Sequence, residues 1–572
     1  MSRGVDLRYL AAVTMQTSRL CFALLGALLL PVPGNAQAVA GVGDDARVLP
    51  RGALSIRTGN EWSRSFERYG KNSPGRKDGT LEPLGLDFNF DSLGTGQLES
   101  LSLVEAGVRA LAGMPDFGAS LGKMVVHLRD HTVTTPLGLE LGLTNRFTLG
   151  LMVPFVTATS EVDFRVNPSG REPTLGFNPI FGTPMAAAVN AQLLAQFDTA
   201  AAQLTLRLAF CVANPGAPGC STLNANASAA QGLIQSANAF ASGLGQLYGG
   251  RPGSNGSLFI PITGTAAQAA IEARVAAYRA LYATFGSNAI TSAGPLAAQA
   301  PFTESDAQLL FTNPTFGIRA QRFGTTVTRG IGDIDVTAKL KLVDTFGSSV
   351  TASYAPTGFN WRQSIGGLYR LATGALNAPD NFTDLGTGLH ERALGIRSFT
   401  DLMFGKHFWM SLVARYTVPL ADERVIRITA SPDEPLAAAF RQQRVRRKLG
   451  NEFDIAINPR WTLNDYVGLA GHYYYRRKFS DGYTGTFGVS NLAGQPVTID
   501  ASALNFATEA REHRLGGGVS FSTIAAYERG KASLPVEISY FHYQTTLGSG
   551  GDVPKLAVDQ MQVRIYGRFF GR

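Results

Sequence analysis

The sequence predicts an all-β membrane barrel of about 12 antiparallel strands, with a helical insertion in one long extracellular loop. Three observations lead there. Apolar and polar residues alternate with period two in many separate segments. In 334–342, Ile334, Val336, Ala338, Leu340 and Leu342 take one strand face, and Asp335, Thr337, Lys339 and Lys341 take the other. Short and long connections alternate along the chain, as tight periplasmic turns and long outer loops do in such barrels. Aromatic residues collect beside the short turns, where rings settle at a lipid–water boundary.

Composition agrees. Charged residues are 16% of the 572, against about 25% in an average soluble protein, and mean hydropathy is +0.03. No stretch beyond the N-terminus reaches the roughly 20 apolar residues of a membrane helix, so the apolar residues are spread out, and alternation spreads them. A β-sandwich or propeller would bury its apolar face internally and would need no boundary aromatics.

Taken in order, residues 1–36 read as a cleaved signal peptide. Arg3, Arg8 and Arg19 precede or flank the short apolar core 21–32, and Gly34-Asn35-Ala36 supplies small residues before the cut. This implies export to the outer membrane of a diderm bacterium. Residues 37–165 open the barrel with strands over 52–66, 121–143 and 146–165. Residues 79–120 leave room for a hidden strand, and 96–113 form an amphipathic helix with Leu98, Leu101, Val104, Val108 and Leu111 on one side. That helix either plugs the lumen or packs on the rim.

Residues 166–323 form an Ala-rich helical insert. Thr183-Pro184 reads as N-cap and first helical position, a second helix occupies 228–248, and a third runs from Thr265 to Gly286. Cys211 and Cys220 bracket a turn-rich segment and are expected to form a disulfide in an oxidising compartment. Strand parity places the insert on the outer side, as a surface decoration or a gate. Residues 324–572 complete the barrel with strands over 324–343, 347–360, 385–404, 407–428, 444–461, 466–483, 507–525, 534–548 and 555–570.

The lumen candidates carry both signs: Glu140, Asp333, Asp335, Asp454 and Glu537 against Lys339, Lys341, Arg415, Arg476, Arg564 and Arg568. They read either as a hydrated pore or as cross-strand ion pairs filling a narrow barrel, and the mixed signs argue against strong charge selectivity. The girdle candidates beside the short turns are Phe147, Phe346, Phe404, Phe408, Trp409, Trp461, Tyr466 and Tyr527, with Phe569 at the chain end.

Catalytic and metal-ligating patterns are weak. His127 and His131 share a strand face without a completing carboxylate or cysteine, and His542 stands apart from a serine partner. Gly516-Gly517-Gly518 lies mid-strand, where glycine marks a bend or close packing and not a phosphate loop. The reading is a non-enzyme with no catalytic residues, no cofactor and no metal. Its partners are outer-membrane lipid and lipopolysaccharide, the barrel-assembly machinery and a small permeant of unknown identity, with no nucleic acid. The cationic run 441–448 suits anionic headgroups or plain solvation.

Two blocks carry a family likeness. The stretch 330–344, beginning Gly330-Ile331-Gly332-Asp333, and the stretch 382–424, with Leu385-Gly386-Thr387-Gly388, resemble an outer-membrane family filed under meta-pathway phenol degradation. Residues 140–156 are similar to its early hairpin. The likeness spans roughly 120–165 and 324–572 and leaves out the insert. It implies a channel for passive passage of small hydrophobic or aromatic compounds. It brings no catalytic residues, and the usual terminal aromatic is here followed by Gly571-Arg572. A non-transporting barrel that anchors an adhesion or assembly domain is the main alternative, and a barrel enzyme the lesser one.

Overall fold

A computed structural model describes residues 44–568 apart from 73–75, 169–171, 314–317, 346–357, 406, 431–433, 435, 465, 492–493 and 529. The signal peptide, Phe346 and Phe569 lie outside the described residues.

Twelve antiparallel strands close on themselves. They are β1 (Ala53–Ser65), β2 (Met124–Thr144), β3 (Phe147–Val166), β4 (Ile334–Asp344), β5 (Phe359–Leu371), β6 (Ala393–Phe404), β7 (Phe408–Pro419), β8 (Glu452–Thr462), β9 (Val467–Lys478), β10 (Ala510–Ser522), β11 (Val536–Ser549) and β12 (Ala557–Arg568). Each pairs with its sequence neighbours, and β1 pairs with β12 from Ala53↔Arg568 to Arg64↔Ala557, so the wall has no free edge. An extra short strand, Thr326–Ile331, lies outside the ring of twelve and pairs with the far part of β3, Phe155↔Ile331 to Ser160↔Thr326.

The two faces differ as alternation demands. On β4, Asp335 is buried while Val336, Leu340 and Leu342 are 40–45% exposed on the outside. Isolated apolar exposure is ordinary, but a band of it around a closed barrel needs an apolar surrounding. Leu137, Leu149, Leu151, Ile365, Ile396, Leu469, Leu515, Val519, Ile538 and Ile565 continue that band. Among the described residues no helix is long and apolar enough to cross a membrane.

Four segments differ from the expectation. The strand expected over 347–360 lies further on, as β5, in register with β4 from Arg362↔Asp344 to Leu371↔Ile334. Phe359, Trp361, Ile365 and Tyr369 face out, and Asn360, Arg362, Ser364 and Arg370 face in. This is a full-length alternation able to match β4, whereas the earlier one around Val350 and Tyr354 falls outside the described residues. The continuous strand over 324–343 is broken at Gly332-Asp333. The long strands over 407–428 and 444–461 shed their far ends as a separate hairpin, Asp422–Arg427 with Gln442–Lys448.

The long connections gather at one end around a large apolar core. The insert supplies α2 (Pro184–Ala213), α3 (Cys220–Ala225), α4 (Ala227–Tyr248), α5 (Ala266–Thr284) and α6 (Glu304–Thr312). Thr265 caps α5 by accepting from the Gln268 amide, and Thr303 with Asp306 forms a capping box on α6. Cys211 and Cys220 are joined, their Cα atoms 4.9 Å apart.

The helix expected over 96–113 is α1 (Leu101–Ala112), ended by Gly113 at φ 68°. Its apolar stripe, Leu101, Val104, Val108 and Leu111, packs into the same core as the insert. It does not enter the lumen. That stripe needs apolar neighbours, and the lumen offers mainly ions.

Candidate functional site

The lumen is occupied by the chain's own N-terminal stretch. Residues 44–50 precede β1 and fold back into the barrel, where Ala46 is fully buried against Phe399, Val413, Ala456 and Tyr474. The backbone is anchored from several sides. The Ser364 hydroxyl donates to the Ala46 carbonyl at 2.6 Å, and the Ala46 amide donates to Asp401 Oδ2 at 3.1 Å. Lys339 Nζ donates to the Asp45 carbonyl at 2.8 Å, and the Leu49 amide to Thr148 Oγ1 at 2.9 Å.

Charge holds the side chains. Arg415 reaches Asp44 at 3.1 Å and Asp454 at 2.7 Å, and Arg57 approaches Asp44 at 3.7 Å. Arg47 pairs with Asp45 at 2.6 Å, approaches Glu537 at 3.8 Å and lies over the Trp409 ring. Burial alone would raise the Asp44 carboxyl, but Arg415, Arg57, Lys339 and Arg397 outweigh it and hold it well below the usual carboxylate range. Removing one member of such a set leaves a buried charge uncompensated, which costs about 3–5 kcal/mol.

Beside this segment lies a cavity of about 190 Å³. Its wall carries seven cationic side chains, Arg47, Arg57, Lys339, Lys341, Arg362, Arg397 and Arg564. Five carboxylates face them, from Asp44, Asp45, Glu140, Asp335 and Asp344. Leu49, Met152 and Phe399 add apolar surface. Lys339 Nζ sits 4.2 Å from the Phe399 ring centroid.

The sequence-predicted lumen residues separate into groups. Asp335 faces inward and takes Arg370 at 2.8 Å, Lys341 pairs with Asp344 at 3.0 Å, and Arg476 pairs with Glu452 at 2.6 Å. Glu537 lies between Arg47 and Arg460, the latter at 3.7 Å, and Arg564 donates to the Tyr566 hydroxyl at 3.3 Å. Glu140 and Lys339 line the cavity. Arg568 ends β12, and its side chain lies outside the described residues.

Asp333 is a correction, because it does not line the lumen. It sits in the break before β4, where Oδ1 accepts from the Gly374 amide at 2.9 Å and Oδ2 from the Leu389 and His390 amides at 2.9 and 3.1 Å. Gly374 and Gly388 allow the close approach, since a Cβ on Gly388 would fall 2.8 Å from Asp333 Oδ2. The two motif blocks, 330–333 and 385–388, therefore form one latch that folds the 372–392 connection over the barrel end.

The girdle positions also divide. Phe359, Phe404, Phe408 and Trp461 make a ladder across β5 to β8, with successive centroids 5.3, 5.9 and 6.3 Å apart. Tyr466 stacks on Phe521 at 5.9 Å. Phe147 is half-buried and Tyr527 exposed. Trp409 is the second correction: it is 6% exposed and lies between Arg47 and Arg460 inside the lumen. Successive residues of a strand take opposite faces, and Phe408 already takes the outer one.

His542 faces outward and shares the Asp559 carboxylate with the Tyr540 hydroxyl. His131 lies 3.9 Å from Glu161 on the outside of β2. Among the described residues no cluster of three or more metal-ligating groups forms.

The residues missed by the sequence reading are chiefly Asp44, Asp45 and Arg47, which lie before the first alternating segment, and Arg362 and Arg370, hidden by the early placement of β5. The adjacent carboxylates Asp44-Asp45 soon after an apolar leader were the available signal.

No family model and no curated protein matches the chain. Among solved structures, an outer membrane channel from Pseudomonas putida F1 aligns with TM-score 0.38 and 9% identity over 93% of this chain and 100% of that one. A Pseudomonas aeruginosa FadL homologue aligns with TM-score 0.25 and 8% identity over 95% and 100%. The toluene transporter TodX of P. putida aligns with TM-score 0.22 and 8% identity over 92% and 91%. At these scores the likeness carries no argument about function.

Proposed function

We propose that the chain is an outer-membrane channel for small solutes, closed at rest by its own residues 44–50. The single observation that carries this reading is the way the segment is held. Ion pairs and hydrogen bonds fix its Asp44–Arg47 part, with the small residue Ala46 packed at the centre and Leu49 the one large apolar side chain buried behind it. Polar contacts can be exchanged for water or for a charged solute, whereas a dry apolar plug would have to be peeled from its partners. The short-turn end is then periplasmic and the helical unit lies outside.

The cavity suggests the solute class. Its excess of cations beside an apolar patch suits a small amphiphilic anion, such as an aromatic or aliphatic carboxylate. This narrows the hydrophobic or aromatic compound implied by the family likeness to one that also bears a negative group.

A second reading has its own support. The lumen is filled, and the largest apolar core belongs to the helical unit. A barrel that anchors this unit at the surface would look the same.

One experiment separates them. Cysteines at positions 46 and 364, where the Ser364 Oγ lies 2.6 Å from the Ala46 carbonyl oxygen, would tether the segment when bridged by a short bifunctional thiol reagent. In planar bilayers the untethered protein is expected to conduct and the tethered one to be silent, with each single-cysteine variant as control. Silence in every form would remove the channel reading and leave the anchor.

A further inference from the structure

The outer surface of the barrel carries an arginine pair that the lumen chemistry does not use. Arg477 on β9 and Arg511 on β10 are direct cross-strand partners. Both lie on the outward face, alternate to the inward Arg476 and Glu512. Like charges directly opposite on a sheet repel.

On the inward face of the same strand, Arg476 and Lys478 each have a carboxylate, Glu452 at 2.6 Å and Asp481 at 2.5 Å. Among the described residues, neither Arg477 nor Arg511 has one. Glu509, exposed two residues before Arg511, makes no ion pair with it.

The level of the pair on the barrel is informative. From Tyr466, stacked on Phe521 at the short-turn end, the outward positions of β9 run Val467, Leu469, Gly471, Tyr473 and Tyr475 before Arg477. That is close to the roughly ten residues a tilted strand needs to cross hydrocarbon. Just below the arginines, Tyr475 lies 4.9 Å from the His513 ring and the Tyr473 hydroxyl is 3.0 Å from His513 Nδ1. Leu469, Leu515 and Val519 then lead into the apolar band.

We infer that Arg477 and Arg511 form a binding site for a phosphorylated glycolipid of the outer leaflet. The two guanidiniums take the phosphate, the Tyr473–Tyr475–His513 shelf lies under the sugar, and the acyl chains run along Leu469 and Leu515. Guanidinium suits phosphate because its planar fork donates two parallel hydrogen bonds. An anion between the pair also relieves their mutual repulsion. The inference rests on the membrane reading given above.

The test uses the full chain, folded in detergent and freed of native lipid. It is mixed with bis-phosphorylated lipid A or with the phosphate-free molecule, and bound lipid is counted by native mass spectrometry. Wild type and an Arg279→Gln/Arg322→Gln control, at exposed positions of the insert, are expected to retain phosphorylated lipid A. The Arg477→Gln/Arg511→Gln protein is expected to retain roughly tenfold less, the loss of two charge-assisted contacts. Phosphate-free lipid should bind all three weakly.

Equal retention by wild type and double variant overturns the proposal. So does equal binding of the phosphate-free lipid, or full competition by millimolar inorganic phosphate, which would make this a free-phosphate site. Heat-shifted gel migration identifies folded barrel. If the double variant does not fold, Arg511→Gln alone, at an exposed position, is expected to lose part of the retention, and no loss there counts against the site. If phosphate-dependent binding fails while lipid-facing tryptophans still contact lipid, only this proposal falls and the membrane barrel stands.

Discussion

At the scale of single residues, small side chains and one carboxylate decide where larger pieces go. Gly516 and Gly518 on β10 face inward under Tyr543 and Phe541. A Cβ on Gly518 would fall 2.5 Å from Phe541 Cδ1 and 2.3 Å from the Tyr540 carbonyl oxygen. Gly518→Ala is therefore expected to destabilise the barrel by about 1–3 kcal/mol. Gly567→Ala, with nothing within 4 Å of the added atom, should be close to neutral. The midpoint of heat-induced loss of fast gel migration measures both.

Asp333 accepts three backbone amides, so Asp333→Asn exchanges a carboxylate for a group that cannot serve all three equally. The latch should weaken by about 1.5–3 kcal/mol. Amides of 374–390 should then exchange with deuterium faster while the barrel strands stay protected. Unchanged exchange there would remove the latch. Trp409 and Trp461 make a matched pair, one 6% and one 52% exposed. In vesicles with brominated lipid, a protein retaining Trp461 alone should be quenched, and one retaining Trp409 alone should not.

At the scale of elements, the connections behave differently from the strands. The connection 372–392 is folded onto the barrel end, and Glu391 within it is 3% exposed, 3.6 Å from Arg370. Burial first, with Glu452 and Asp333 adding repulsion against the pull of Arg370, pushes its carboxyl up to about 7. A raised carboxylate favours the folded connection when protonated, so its contribution is full below the ordinary Glu value near 4.5 and is lost as pH rises through about 7. Proteolysis at 372–392 should therefore quicken between pH 5 and 8 in the wild type. It should be nearly pH-independent in Glu391→Gln, measured with a protease whose own activity is corrected for. A wild-type rate that stays flat across this window would contradict the assignment.

The amphipathic helix Leu101–Ala112 is a second case. Its stripe was legible as a stripe, but a stripe names no partner. The insert supplied an apolar partner and the ionic lumen did not.

At the scale of the whole molecule, closure joins residues far apart in sequence. β1 against β12 completes the wall, and residues 44–50 meet Arg415, Asp401 and Ser364 across more than 300 positions of sequence. If polar contacts hold the segment, it should remain reversible, and the tether between positions 46 and 364 reads that directly. The depressed Asp44 carboxyl sets the sign of the pH effect. Its stabilising share is full above the unfolded Asp value near 3.8 and declines only below it, so acid down to about pH 5 should not by itself release the segment.

Alternation determined most of the fold from sequence alone, because a period of two is a local property: it assigns each residue of a strand to one face before any partner is known. The strand pairs of the barrel were legible in this way, and the helical character of the insert from its separate 3.6-residue spacing and caps. The register of β5, the latch at Asp333, the inward turn of Trp409 and the filling of the lumen by residues 44–50 were decided only by tertiary structure. Each depends on which distant group lies opposite, and neither periodicity nor composition records a contact between residues hundreds of positions apart.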